Sequence, residues 1–138
     1  NGVPEENVLA WDHLARAGFI RGSVIFNATS PDGAIPKNAF GGFVDLTFDS
    51  VYGDPAQPAT VRHTLKTGNQ MPVEILAEMD RKIDDGNAFS GEIRFSAFAR
   101  TGSVPDASGG PGACAATDGR WITNTAVLAV NCGAAALL

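Results

Sequence analysis

Between Pro72 and Asn87, Ile75, Leu76, Met79 and Ile83 recur at spacings of three and four, while Glu78, Arg81, Lys82 and Asp85 fall mainly on the other side. That period predicts an amphipathic helix lying on a core. Pro72 suits a first turn, where its missing N–H has no partner to lose, and Glu74 favours the positive end of the dipole. Gly86 can take the left-handed backbone that closes a helix, and Asn87 tolerates the turn after it. The period then changes to two: Ile93, Phe95 and Ala97 alternate with Glu92, Arg94 and Ser96, as a half-buried strand requires. Asp84, Asp85 and Gly86 thus mark a sharp turn from helix to strand.

Elsewhere the pattern is coarser. Pro4-Glu5-Glu6 reads as a helix start; Val8, Leu9, Trp11, Leu14 and Ala15 form its apolar stripe, and Gly18 is its stop. Phe19 to Phe26, interrupted by Gly22, suits a strand or a buried loop, and Ala28 to Asn38 is rich in turn formers. Phe43, Asp45, Thr47 and Asp49 alternate with Val44, Leu46, Phe48 and Val51, a strand whose phase slips near its end before the Tyr52-Gly53-Asp54-Pro55 break. In the next alternation Val61, His63 and Leu65 share the apolar side, opposite Arg62 and Thr64. A last apolar segment runs from Trp121 to Val130. Two short helices and about four strands in mixed order predict an α+β fold with an antiparallel sheet.

The length of 138 residues suits a single domain spanning 1–138 with a real core. A net charge of −5 and the absence of a Lys/Arg cluster argue against a nucleic-acid partner held through a basic patch. There is no run of about twenty apolar residues to insert into a membrane, and Asn1-Gly2-Val3-Pro4 lacks the basic and apolar regions of a signal peptide, so the chain as it stands is expected to be soluble. Cys114 and Cys132 are the only cysteines, with no Cys-x-x-Cys spacing and no nearby histidine to complete a zinc site. They read as a disulfide of an exported protein, worth roughly 3 kcal/mol on the chain-entropy model, or else as two buried thiols of a cytosolic one. The approach Ser108-Gly109-Gly110-Pro111-Gly112 has little apolar surface to hold it down, which favours the bridge.

Three parts of the chain carry a family resemblance. The run from Met79 to Arg94, with Asp80-Arg81-Lys82-Ile83-Asp84-Asp85-Gly86 at its centre, resembles a signature of bacterial type IV pilin-like proteins. Trp11-Asp12-His13-Leu14-Ala15-Arg16-Ala17-Gly18-Phe19-Ile20-Arg21-Gly22 is similar to an element found in many of their ectodomains. Cys114 and Cys132 resemble the pair that clips the C-terminal region of such proteins. The resemblance, to type IV pilins and type II secretion pseudopilins, implies a pilin-like globular domain of an extracellular or periplasmic filament, without enzymatic activity or cofactor. Such filaments serve adhesion, motility, DNA uptake or protein secretion. The family's long N-terminal helix, its processing site and the glutamate at the fifth mature position do not occur in this sequence. The helix is expected to have been trimmed, lost, or supplied by a separate short chain as in split pilins, leaving an apolar sheet face exposed. The implied partners are identical or related pilin subunits.

Other chemistry is weaker. Asp80, Asp84, Asp85 and Asn87 crowd hard oxygen ligands together but lack the alternating spacing of a calcium loop, so a solvated helix end is expected instead of a metal site. Asp45 and Asp49 could form a carboxylate couple only in a cleft that perturbs them. His13 reads as a packing or hydrogen-bonding residue, and His63 as a satisfied core histidine. No Gly-x-Ser-x-Gly elbow accompanies them, and Gly109-Gly110-Pro111-Gly112 lacks the Lys-Ser or Lys-Thr of a phosphate loop. Asn27-Ala28-Thr29 is a glycosylation sequon in form only for a bacterial protein. The competing functional reading is a secreted ligand-binding module, calcium-dependent or recognising its ligand through the loops Ala28 to Asn38 and Thr101 to Ala113. A small exported enzyme ranks last.

Overall fold

The computed structural model describes residues 6–21, 25–27, 29, 31–52, 60–110 and 112–138. The chain forms α1 (Glu6–Arg16), a short 3-10 helix (Pro31–Ala34), β1 (Asp45–Asp49), β2 (Arg62–Lys66), α2 (Val73–Ile83), β3 (Ile93–Phe95) and β4 (Ala134–Leu137). One four-stranded sheet has the order β1-β2-β4-β3, antiparallel throughout, as the α+β reading requires. The C-terminal strand is therefore inserted between two earlier ones.

Register assigns the two faces. Leu46 pairs with Leu65, Leu65 with Ala136, and Ala136 with Ile93, so these side chains share one side. That side carries both hydrophobic clusters. In one, Val8 and Trp11 of α1 and Ala34 and Ile35 pack with Leu46 and Leu65; in the other, Val73 and Leu76 of α2 pack with Ile93, Ala134, Cys132 and Trp121. The opposite side holds Asp45, Asp49, Thr64 and Lys66. There the half-buried Tyr52 reaches across to Ser96 Oγ at 2.6 Å, and Lys66 Nζ lies 5.4 Å from the Phe98 ring and 3.3 Å from Asp49.

Several elements differ from the pattern-based expectation. Trp121 to Val130 contains no strand. The fourth strand, Ala134–Leu137, is so rich in alanine that burial between β2 and β3 decides its state where propensity does not. Of Phe19 to Phe26, residues 19–21 and 25–26 are described and form no strand, and Phe19 is 80% exposed. β3 stops at Phe95, two residues before the alternation ends. The buried stripe of α2 is Val73, Leu76 and Asp80, while Ile75 and Ile83 lie outward. The helix is rotated because Asp80 has a partner inside the core. His63 is exposed and stacks beside Phe48, with ring centroids 4.8 Å apart, instead of being buried. His13 is exposed too, because Trp11 and Val8 take the inward face of α1. Pro4, Glu5, Gly22, Ala28, Pro111 and the Gly53-Asp54-Pro55 break lie outside the described residues. Among the described residues, no helix is long and apolar enough to cross a membrane.

Candidate functional site

α2 ends where the anticipated turn begins, and the three acidic side chains of that turn are consumed in building it. Asp80 is fully buried: Oδ2 accepts from the Trp121 indole N–H at 2.7 Å and Oδ1 from the Gly86 N–H at 3.2 Å. Burial pushes its carboxyl above the ordinary value of 3.8, and the charges of Asp85 and Asp84 add to the push. Asp84 caps the helix with its own N–H on the Asp80 carbonyl at 2.7 Å, while its Oδ2 accepts from the backbone N–H of Glu92 and, at 2.9 Å, of Ile93. The same side chain thus closes α2 and anchors the start of β3. Asp85 accepts from the Ser90 hydroxyl at 2.5 Å and the Asn87 N–H at 2.8 Å, and these bonds hold its carboxyl below 3.8. Gly86 sits at φ +77°, the left-handed region its position in the motif predicts.

Asp80, Asp84 and Asp85 each offer an oxygen within 4.8 Å of the others. N–H and O–H donors engage all three carboxylates, so the corner works as a hydrogen-bond hub. The carboxylates of Asp45 and Asp49 are likewise engaged. Asp45 Oδ1 accepts from Asn7 Nδ2 at 2.8 Å and Asp49 pairs with Lys66, so the two are tied to separate partners.

The Trp11 to Arg21 element is also spent on structure. Asp12 binds Arg16 at 2.6 Å through Oδ2 and accepts from the Phe26 N–H at 2.9 Å through Oδ1. Gly18 and Phe19 donate to the carbonyls of Ala15 and Leu14, each at 3.0 Å, the paired bonds that close a helix through a left-handed residue. Cys114 and Cys132 form a disulfide with Cα atoms 5.6 Å apart, both residues buried. The bridge is compatible with an oxidising compartment.

What remains unspent is a stretch of the sheet's apolar side. By two-residue alternation Phe48, His63 and Leu138 continue the row of Leu46, Leu65 and Ala136, yet Phe48 is 64% and Leu138 69% exposed. A groove of ≈ 680 Å³ opens along the edge strand β1, between Glu6, Asn7 and Ala10 of α1 and residues 46–49 with His63. Val61, at the lead-in to β2, is 51% exposed.

Pattern reading missed a second hub, built from amides. Asn38 Nδ2 donates to the carbonyls of Thr67 and Asn69, both at 2.9 Å. Asn69 Nδ2 donates to those of Thr101 at 3.0 Å and Ser103 at 3.1 Å. Asn131 Nδ2 reaches the Ser103 carbonyl at 3.0 Å while its Oδ1 accepts from the Gln70 N–H at 3.1 Å. Its sole trace in the sequence is asparagine near glycine, in Gly68-Asn69 and Asn131-Cys132-Gly133.

No protein-family model, curated protein or solved structure matches this chain.

Proposed function

We propose that this chain is the outer globular domain of a structural filament subunit of the type IV pilin or pseudopilin kind, assembled outside the cytoplasm through an apolar helix laid on its sheet. The observation that carries this reading is the uncovered row Phe48, His63 and Leu138, beside the groove at the N-terminal end of α1. A sheet buries its apolar face against another layer, and an exposed continuation of that face is a contact surface. Motif residues spent on turns, caps and a disulfide suit a building block that performs no chemistry. Identical or related subunits, and a helix contributed by the same or a separate chain, are its partners. Adhesion, motility, DNA uptake and secretion are the roles such a filament serves.

The test is immunogold electron microscopy of the producing cells with antibodies against this domain. Label spaced along surface or periplasmic filaments is expected, and diffuse label on cells free of filaments overturns the reading. Calorimetric titration separates the alternative, a calcium-dependent secreted binding module. The filament subunit is expected to give no saturable heat, whereas a stoichiometric heat lost in Asp84→Ala favours the module.

A further inference from the structure

The sheet order β1-β2-β4-β3 leaves β1 at an edge. Only β2 pairs with it, from Asp45 against Lys66 to Asp49 against Arg62, so about half of its backbone N–H and C=O groups face away from the sheet. The turn ahead of β1 is closed on itself: Val44 donates to the Pro36 carbonyl at 2.9 Å, and Lys37 bridges to Phe43. From Asp45 onward that cover ends. Among the described residues, no backbone hydrogen bond outside the sheet involves residues 45–49.

The groove beside this edge is lined by Leu46, Thr47, Phe48 and Asp49 in succession. Neighbouring residues of a strand point to opposite faces, so four consecutive ones line a single groove only where it meets the rim of the strand. At the rise of a strand those residues span about 13 Å. α1 makes the other wall through Glu6, Asn7 and Ala10, and Asn7 Nδ2 fixes that wall to Asp45 Oδ1 at 2.8 Å. The ionisable lining residues are Glu6, Asp49 and His63, with no Lys or Arg among them. Lys66 and Arg62 reach this region from β2, but they are paired with Asp49 at 3.3 Å and with Glu92 at 3.4 Å. Glu6 and Asp45 remain as negative charge that no cation offsets there.

We propose that the rim of β1 is a strand-addition site, which takes an extended basic segment of another protein and continues the sheet by one strand. The backbone selects the shape of the occupant: an extended segment supplies the N–H and C=O groups that the edge lacks, whereas a helix has spent its own. Charge selects its composition. Acidic groups on a chain of net charge −5 attract Lys and Arg, and they repel a second copy of the same chain. Side chains alternate along the incoming strand, so one set meets Glu6 while the other lies against Ala10 and the 64% exposed Phe48. The inference does not rest on the filament reading, because a helix laid on the sheet covers its face and an added strand occupies its edge.

Backbone amide exchange of the purified domain, followed by NMR while a short capped peptide of alternating lysine and valine is added, tests it. The peptide is expected to slow exchange at those amides of residues 46–49 that face away from β2, to saturate by millimolar concentration, and to bind more weakly in high salt. The same peptide N-methylated at alternate residues keeps its charge and side chains but cannot extend the ladder, and is expected to leave exchange unchanged. So is the peptide with glutamate in place of lysine. Glu6→Lys, at an exposed position, is expected to lose most of the affinity while circular dichroism and melting temperature stay those of the parent. The proposal is overturned if no protection appears, if the N-methylated or glutamate peptide protects equally, if Glu6→Lys binds like the parent, or if the peptide turns helical on binding.

Discussion

At one end of the sheet neutral amides tie four loops together; at the other, carboxylates tie α2 to β3 and to Trp121. Both hubs use short side chains that bind backbone groups and so replace the ladder bonds that loops lack. Asn69, 1% exposed, serves two carbonyls as Asp84 serves two N–H groups. The choice between them follows from what each must bind: carbonyls need a donor and N–H groups need an acceptor. The carboxylate hub sits among Arg81, Lys82, Glu78 and Glu92, whereas the three asparagines carry no charge of their own. The amide hub thus has no titrating group of its own, while the carboxylate hub responds to acid.

The contrast can be broken in several ways. Replacing Cys114 and Cys132 together by serine frees the segment between them, and is expected to lower the unfolding free energy by about 3 kcal/mol in urea titration. A loss well below that would mean the amide hub holds the segment unaided. Asn69→Ala removes both donors from a buried position and is expected to cost about 2 kcal/mol, the penalty of stranding buried carbonyls. Its cost should not vary with pH. Gly86→Val forces a β-branched residue to φ +77° and is expected to cost about 1 kcal/mol or more, visible as a lower melting temperature.

The smallest effect carries the most information. Asp85, held below 3.8, contributes stability that is present above that value and lost as pH falls through its lower folded pKa. Asp80, raised by burial, has the opposite sign: its contribution is complete below 3.8 and is lost as pH rises through its raised folded pKa. Urea titrations across acidic pH should therefore show the difference between parent and Asp85→Asn shrinking toward low pH. That between parent and Asp80→Asn should shrink as pH climbs above 3.8. Differences that run in the same direction would show that the two aspartates do not sit in distinct surroundings.

How far the chain could be read varied with the range of the interactions involved. α2, Gly86, the α1 stripe and the alternation in β1 and β2 were visible, because helix and strand periods and left-handed glycine positions are written within a few neighbouring residues. Asp80 was misplaced because its sign as a core residue is the Trp121 N–H, 41 positions away, and a charged residue otherwise reads as solvent-facing. His63 went the other way. It falls on the apolar side of its strand, but nothing among the described residues covers that end of the sheet.

The sequence alone therefore determined the local vocabulary: two helices, their stops, the sharp corner after α2, a cysteine pair that reads as a bridge, and the acidic balance. Tertiary structure decided which strands pair, that an alanine-rich tail enters the middle of the sheet, and which carboxylates are buried. It also gathered Asn38, Asn69 and Asn131 into one hub. The physical reason is reach: backbone preference and hydrophobic period act over a single turn or a pair of residues. A buried polar group is defined by a partner that only folding brings near.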